Sequence, residues 1–214
     1  MSDLLDRITV NTQSSIRIES GRIWRFDPYV IEGEPHDADF VLITHAHFDH
    51  FSPDDLRKVL KEDTTVVMPE SVIGKAGEAG FDTAGFIGVK PGDKLELGGA
   101  QVEVLYSYNT NKPNHLKEFG WVGYMLTLEG RRIYIAGDTD VIPEQDSLKC
   151  DIMMIPVGGT YTMDEREAAQ LVNRLMPPVV IPIHYGTVIN DPQTGERFAA
   201  LVDPAVKVEF RLFR

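Results

Sequence analysis

The sequence predicts an α/β fold with four layers, an αββα sandwich in which two β-sheets pack face to face and helices cover the outer faces. Three observations predict it. Two alternating β-hairpins each lead to an aspartate, three short apolar runs each end in a polar loop, and helical segments lie between these runs. We expect a single domain, residues 1–214, because no linker or low-complexity tract interrupts the chain.

The two hairpins occur at similar places in the two halves of the chain. Residues 16–26 alternate apolar with polar side chains around Ser20-Gly21 and lead into Asp27. Residues 124–136 repeat this pattern around a Glu-Gly turn and lead to Asp138. The repetition favours two related halves, each of which contributes one sheet and a few functional side chains.

Three apolar runs predict strands that are covered on both faces. Residues 40–44, 152–155 and 179–183 are almost wholly apolar and too short for helices. Each run ends in a loop of unusual composition, and these loops are residues 45–50, 158–161 and 184–187. A layered α/β fold usually places its functional site at such strand ends.

Helical segments separate the strands. Ser52 is a predicted N-cap with Pro53 at the first helical position, and apolar residues follow at helical spacing. Residues 162–165 match a capping box before an amphipathic helix that Pro177-Pro178 ends. A further short helix is predicted over residues 196–202.

The charge of the chain disfavours nucleic-acid binding. Lys and Arg total 21 against 33 Asp and Glu, so the formal net charge is −12, and such a surface lacks the basic stripe that binds phosphates. No apolar segment is long enough to cross a membrane, and no apolar signal core follows Met1. We therefore expect a cytoplasmic protein, in which the single cysteine, Cys150, is a buried structural thiol.

The histidines are concentrated where the predicted strands end. Three of the six fall within residues 45–50, and another, His184, directly follows an apolar run. Two imidazoles that are two residues apart at a strand end can grip one metal ion, and the next turn can face a second ion. The candidate metal ligands from this pattern are His45, His47, Asp49, His50, Asp138 and His184.

Such a cluster predicts hydrolytic chemistry. Two cations about 3.5 to 4 Å apart lower the pKa of a shared water and polarise a carbonyl or phosphoryl oxygen. The expected nucleophile is metal-bound hydroxide, with Asp49 or Asp138 as the catalytic residue that orients it and accepts its proton. The chain has neither a GxSxG nucleophile elbow nor a phosphate-binding P-loop, so no serine or cysteine nucleophile is required.

The candidate ligands resemble the signature of the metallo-β-lactamase superfamily. Its HxHxDH motif appears as His45-Ala46-His47-Phe48-Asp49-His50, after a strand and before a capped helix, and three further motifs match Asp27, Asp138 and His184. The segments that look most like small metal-dependent hydrolases related to ascorbate-6-phosphate lactonase are residues 23–28, 44–52, 137–140 and 156–163. The resemblance implies the αββα fold, a site between the sheets at one edge, and one or two zinc or manganese ions.

The remaining motif of the superfamily departs from the usual pattern. A histidine is expected near the end of the strand before the second hairpin, but residues 102–106 lead into a segment with Asn109 in that place. His115 follows six residues later and is the candidate third ligand of the first metal ion. The alternative is a first site of two imidazoles completed by water or by a weak Asn109 oxygen.

Several neighbouring residues have two interpretations. Asp27 either hydrogen-bonds a ligand histidine or only caps the turn before Pro28. Residues 158–162 either contact an anionic substrate group or only connect a strand to a helix. Lys112 and Lys117 either hold an anionic substrate or are simply solvated.

The sequence as a whole predicts a metal-dependent hydrolase that cleaves an ester, lactone or phosphodiester bond of a small substrate, with an anionic substrate as one alternative. A non-catalytic metal or ligand sensor with the same fold is a second hypothesis, and a nuclease is a weaker third. His47 stands where oxygen-reducing di-iron members of the superfamily carry a Glu, which argues against a redox function. The substrate, the metal and the oligomeric state, a homo-oligomer included, stay open.

Overall fold

A computed structural model of the protein describes residues 3–212 and contains two β-sheets. The first sheet has six strands, adjacent in chain order: β1 (Ile8–Val10), β2 (Ile16–Glu19), β3 (Ile23–Phe26), β4 (Phe40–Leu42), β5 (Thr65–Pro69) and β6 (Ile87–Val89). The second has seven strands, also adjacent in chain order: β7 (Lys94–Leu97), β8 (Ala100–Tyr106), β9 (Val122–Leu128), β10 (Arg131–Ile135), β11 (Ile152–Pro156), β12 (Val179–Ile183) and β13 (Lys207–Val208).

Four α-helices connect the parallel strands: α1 (Pro53–Val59), α2 (Glu70–Glu78), α3 (Glu165–Leu175) and α4 (Thr194–Ala199). Parallel neighbours need a crossover connection, and each helix lies in one, between β4 and β5, β5 and β6, β11 and β12, or β12 and β13. The longest helix of residues 3–212 has 11 residues, short of the about 20 that a membrane crossing requires.

Three apolar clusters define the layers of the fold. The central cluster joins the inner faces of the two sheets, with Trp24 and Phe26 from one and Tyr124 from the other. A second cluster packs α3 and α4 on the outer face of the seven-stranded sheet, and a third packs α1 and α2 on the six-stranded sheet. The predicted four-layer αββα sandwich is therefore confirmed.

The predicted hairpins are present in register. Ile16 pairs with Phe26 in the first hairpin, and Arg131 pairs with Leu128 in the second. Because β3 and β4 are parallel, Asp27 and the loop after β4 leave the first sheet at the same edge. The hairpins thus set the positions of the two aspartates that follow them.

The start of α3 differs from the sequence prediction by two residues. Its N-cap is Asp164, whose Oδ1 accepts from the backbone N–H groups of Arg166 and Glu167 at 2.9 and 2.8 Å. The Asp164 N–H in turn donates to Glu167 Oε2 at 3.0 Å, which completes the capping box. Thr162 is instead buried and donates to the Met163 carbonyl, so the predicted box at residues 162–165 is wrong.

Other differences concern α2 and α4. Helix α2 was not expected, because it contains Gly74 and Gly77 and has no side-chain cap, so neither propensity nor capping marks it. Burial of Val72 and Ala76 in the outer core holds it in place. Helix α4 begins two residues before the predicted segment 196–202 and ends three residues before its end.

Replacement of the Asp164 cap should destabilise the fold locally. Asp164→Ala is expected to lower the free energy of unfolding by about 1 kcal/mol, because two N–H groups lose their acceptor. Urea unfolding followed by circular dichroism measures the change. The matched control is Gln170→Ala at an exposed position of the same helix, and an equal loss in both variants would contradict the assigned cap.

The thiol of Cys150 should react slowly in the native protein. It is partly buried against the outer core, and burial together with the Asp151 carboxylate raises its pKa to about 12. Because the thiolate is the nucleophile, alkylation by iodoacetamide at pH 8 should be at least about a hundredfold slower than in unfolded protein. The native rate should still be rising at pH 10, and a plateau below pH 9 would contradict the raised pKa.

Candidate metal centre

The candidate site lies at the edge where both sheets present the carboxyl ends of parallel strands. Loop 43–50 follows β4 in the first sheet, while loops 107–116, 136–140 and 184–190 follow β8, β10 and β12 in the second. Face-to-face packing of the sheets brings these loops together. The predicted ligands, although distant in sequence, therefore meet in one buried cluster.

One part of the cluster is a group of three imidazoles. His45 Nε2 lies 3.1 Å from His47 Nδ1 and 3.4 Å from His115 Nε2. His45 and His115 are buried, and His47 is partly buried. The three nitrogens converge on one point, as three ligands of a single cation do.

A second group combines a carboxylate with two imidazoles. Asp49 Oδ2 lies 3.3 Å from His184 Nε2 and 3.6 Å from His50 Nε2. All three side chains are buried. The HxHxDH segment thus divides between the two groups, with His45 and His47 in one and Asp49 and His50 in the other.

Asp138 lies between the two groups. Its Oδ2 is 3.3 Å from His115 Nε2 and 3.2 Å from His184 Nε2, while its Oδ1 is 3.3 Å from His50 Nε2. One carboxylate therefore reaches both groups, which is the arrangement of a bridging ligand.

A buried carboxylate behind the cluster orients two of its imidazoles. Asp27 Oδ2 accepts a hydrogen bond from His50 Nδ1 at 2.7 Å and from Thr44 Oγ1 at 2.6 Å. The Thr44 hydroxyl in turn lies 3.0 Å from His45 Nδ1. With Nδ1 occupied in both rings, the Nε2 atoms of His45 and His50 are directed into the cluster. This geometry matches the interpretation of Asp27 as a hydrogen-bond partner of a ligand histidine.

Asn109 lies behind His115, as Asp27 lies behind His50. Its Oδ1 lies 3.0 Å from His115 Nδ1, and its backbone N–H donates to the His115 carbonyl at 2.7 Å. The Asn109 amide nitrogen donates to Asp140 Oδ1 and to the Tyr161 carbonyl. The structure thus brings His115, and not the Asn109 oxygen, to the first group.

The two lysines near this loop have carboxylate partners. Lys112 forms an ion pair with buried Asp140, and Lys117 forms one with Glu144 at 2.6 Å. Asp140 also accepts from the Thr110 N–H at 2.8 Å, so these contacts tie down the loop that carries His115. Both lysine ammonium groups are used within the protein.

The backbone at His184 is in an unusual conformation. Its φ of 59° lies in the left-handed region, which non-glycine residues rarely adopt. A Cβ at position 158 would collide with the His184 carbonyl oxygen, so only glycine fits beside it. Gly158 in the loop after β11 therefore serves the close approach of the two segments, in addition to connecting strand to helix.

The electrostatics of the cluster favour ionised carboxylates beside neutral imidazoles in the first group. Burial, with the neighbouring imidazoles, lowers the pKa of His45 well below its usual value and also lowers the pKa of His47. Burial alone would raise the pKa of Asp138, but His184 and His50 hold it well below its usual value. Neutral imidazoles and a carboxylate are the forms that bind a divalent cation.

Buried polar atoms in the cluster lack hydrogen-bond partners. His50 Nε2, Asp138 Oδ1 and both ring nitrogens of His184 are buried with no partner in hydrogen-bond geometry among residues 3–212. An unsatisfied buried polar atom costs free energy, and four within one cluster call for an external partner. Imidazole nitrogen and carboxylate oxygen are the donors that divalent zinc accepts, so the side chains fit a metal ion.

Two residues at the site were not among the predicted site residues. Thr44 links Asp27 to His45. The feature of the sequence that could have identified it is its place directly before the first histidine. Trp121 packs against the rings of His45, His47 and His115, with centroids 4.9, 4.9 and 5.4 Å away. Nothing in its local sequence separates it from a core aromatic residue.

Loss of the Asp27 carboxylate should weaken metal binding. Asp27→Asn is expected to reduce Zn²⁺ affinity by about 10- to 100-fold, because the partner that fixes His50 and, through Thr44, His45 is altered. Competition with a chromogenic chelator measures the affinity. The matched control is Asp55→Asn, since Asp55 is also buried and accepts backbone N–H groups, but lies outside the cluster. Equal losses of affinity in both variants would contradict the role of Asp27.

Comparison with known proteins agrees with this geometry. A family model described as a beta-lactamase superfamily domain matches residues 7–184. A UPF0173 protein of Pyrococcus abyssi is 33% identical over 165 residues, which cover 75% of this chain and 74% of that protein. A UPF0173 metal-dependent hydrolase of Korarchaeum cryptofilum is 31% identical over 197 residues, which cover 85% of this chain and 83% of that protein.

A solved structure shares the whole architecture. The crystal structure of a proposed metal-dependent hydrolase from Parabacteroides distasonis is 30% identical and superposes with a TM-score of 0.80, covering 97% of this chain and 93% of the other. This superposition agrees with the sandwich fold. The chain therefore belongs to the UPF0173 family of metal-dependent hydrolases within the metallo-β-lactamase superfamily.

Proposed function

We propose that the protein is a two-metal hydrolase that cleaves an ester, lactone or phosphodiester bond of a small substrate. The observation that carries this proposal is the pair of adjacent donor groups joined by one carboxylate. The proposed ligands are His45, His47 and His115 for one ion, Asp49, His50 and His184 for the other, and Asp138 between them. Zn²⁺ or Mn²⁺ suits this mixture of imidazole and carboxylate donors.

The side chains around the cluster divide the work of hydrolysis. Divalent cations, when bound, lower the pKa of a coordinated water and polarise the oxygen of the bond under attack. Both oxygens of Asp138 face imidazoles of the two groups, so Asp138 holds the groups together. Asp49 faces two imidazoles and lines the adjoining cavity, so it orients the attacking water and accepts its proton.

Two other functions, a sensor and a nuclease, have less support than a hydrolase. A sensor without turnover was suggested by the irregular third motif, but His115 lies beside His45 and His47 and removes that irregularity. A nuclease would need a basic surface, and the net charge is −12. A relation to ascorbate-6-phosphate lactonase is supported only by the sequence segments that resemble it, and favours a lactone among the three bonds.

The metal content per chain tests the proposed ligands. Protein purified without a His tag should bind about two ions per chain by inductively coupled plasma mass spectrometry. His115→Ala and His184→Ala should each reduce the content to about one ion, because each removes a ligand of a different group. Asp138→Ala should abolish hydrolysis of generic ester and phosphodiester substrates.

The matched control for these variants is His36→Ala. His36 is exposed and hydrogen-bonds the Leu60 carbonyl outside the cluster, so its removal should leave the metal content unchanged. Full metal content in His184→Ala would contradict the ligand assignment. No metal after addition of Zn²⁺ or Mn²⁺ would overturn the proposed function.

A further inference from the structure

The donor cluster forms the floor of an open cavity of about 210 Å³. His47, Asp49, Asp138 and His184 face it from below. The remaining lining residues come from four loops and are Phe48, Asn114, Tyr161, Val188 and Ile189. Ligand pockets usually measure about 300 to 1,000 Å³, so the part of a substrate that enters this cavity is small.

Large apolar side chains at the mouth of this cavity are unusually exposed. Phe48 is 63% exposed, Val188 45% and Tyr161 39%. Phe48 packs edge-on against Tyr29, with ring centroids 5.9 Å apart, and this contact favours one position of its ring. Exposed apolar side chains gathered around a cavity indicate a surface that a ligand covers.

The cavity walls above the donor cluster carry no positively charged side chain. Among residues 3–212, neither Lys nor Arg lines the cavity. Lys112 and Lys117, the nearby candidates for holding an anion, are paired with Asp140 and Glu144. A phosphate or carboxylate group on the substrate would find no cationic side chain on these walls.

The helix that follows the cavity loop offers no anion site either. At the start of α3, the N–H groups of Arg166 and Glu167 both donate to the Asp164 carboxylate. An anionic group of a substrate would have to displace this carboxylate. The alternative in which residues 158–162 bind an anionic group is therefore disfavoured.

Asn114 supplies one polar contact on the cavity walls. It lines the cavity, and its side chain has no hydrogen-bond partner among the described residues. An amide can donate to a carbonyl or ring oxygen of an uncharged substrate. A small number of polar groups among apolar walls is typical of sites that orient a ligand.

We propose that the substrate is a small uncharged ester or lactone whose apolar group packs against Phe48, Tyr161 and Val188. This inference rests on the proposed hydrolase function and narrows it to acyl transfer to water. A bond forms between the water oxygen and the acyl carbon, and the acyl C–O bond breaks. The water proton passes by way of Asp49 to the leaving alcohol oxygen, and the acid product then ionises.

A matched pair of substrates tests this choice. p-Nitrophenyl butyrate and mono-p-nitrophenyl succinate share a four-carbon acyl chain and a leaving group, and differ in one terminal carboxylate. With Zn²⁺- or Mn²⁺-loaded protein, kcat/KM should be at least about tenfold higher for the butyrate ester, because the succinate carboxylate finds no cationic side chain on the cavity walls. A preference for the succinate ester, or cleavage of bis-p-nitrophenyl phosphate alone, would overturn the inference while leaving the metal-dependent hydrolase intact. No cleavage of any of the three would instead count against the proposed function.

Two variants test whether residues at the cavity mouth set this substrate preference. Phe48→Ala should raise KM for the butyrate ester several-fold with little change in kcat, because Phe48 contacts the apolar group and not the reacting atoms. Val188→Lys should shift the preference towards the succinate ester about tenfold, since it places a cation at the mouth.

Matched controls for these variants lie away from the cavity. Phe210 is 51% exposed and Leu201 is 43% exposed, and neither lines the cavity. Phe210→Ala and Leu201→Lys should leave both esters unaffected. Equal effects in Leu201→Lys and Val188→Lys would mean that net charge, rather than the cavity wall, sets the preference, and would overturn the inference.

Discussion

The hydrogen bonds of one buried carboxylate hold the site together. Asp27 leaves the end of β3 in a left-handed backbone conformation, with φ of 44°, and its carboxylate meets the loop that follows β4. Oδ1 accepts the Thr44 N–H at 2.7 Å, and Oδ2 accepts from the Thr44 hydroxyl and from His50 Nδ1. A single group thus fixes the path of the backbone before the HxHxDH segment and the ring orientation of two of its histidines. Displacement of this carboxylate would move both donor groups at once.

The interior of the fold holds many polar side chains at this site. The imidazoles and carboxylates of the cluster are buried, and several of their atoms have no hydrogen-bond partner among the described residues. Left alone, such groups would repel one another or shift their protonation, at a cost that the apolar core must offset. A divalent cation reverses the sign of that cost, because close donors then become ligands. The two packed sheets hold the donors in place. Metal binding should in turn stabilise the edge where the sheets meet.

Much of the donor cluster could be predicted because its residues occur in local sequence patterns. His45 to His50 form a dense run at a strand end, and Asp138 and His184 each follow a strand that the alternation or the apolar run marks. The choice between Asn109 and His115 could not be predicted in this way. It depends on a hydrogen bond from the Asn109 N–H to the His115 carbonyl and on the ion pair of Lys112 with Asp140, and these are tertiary contacts. Helix α2 was missed for the same reason, since buried Val72 and Ala76 rather than propensity hold it.

Substrate specificity is harder to predict from the sequence than the type of reaction is, because the loops that line the cavity have no periodic pattern. The positions of Val188 and Ile189 nonetheless depend on His184, which precedes them in the same loop. The unusual φ of His184 sets the direction in which the chain leaves β12, and Gly186 closes the following turn with a hydrogen bond to the Ile189 carbonyl at 2.9 Å. Thr187 fastens this turn to Gln13 in the opposite half of the fold. The backbone conformation that directs His184 at the cluster therefore also directs two apolar side chains at the cavity, so a change in one alters the other.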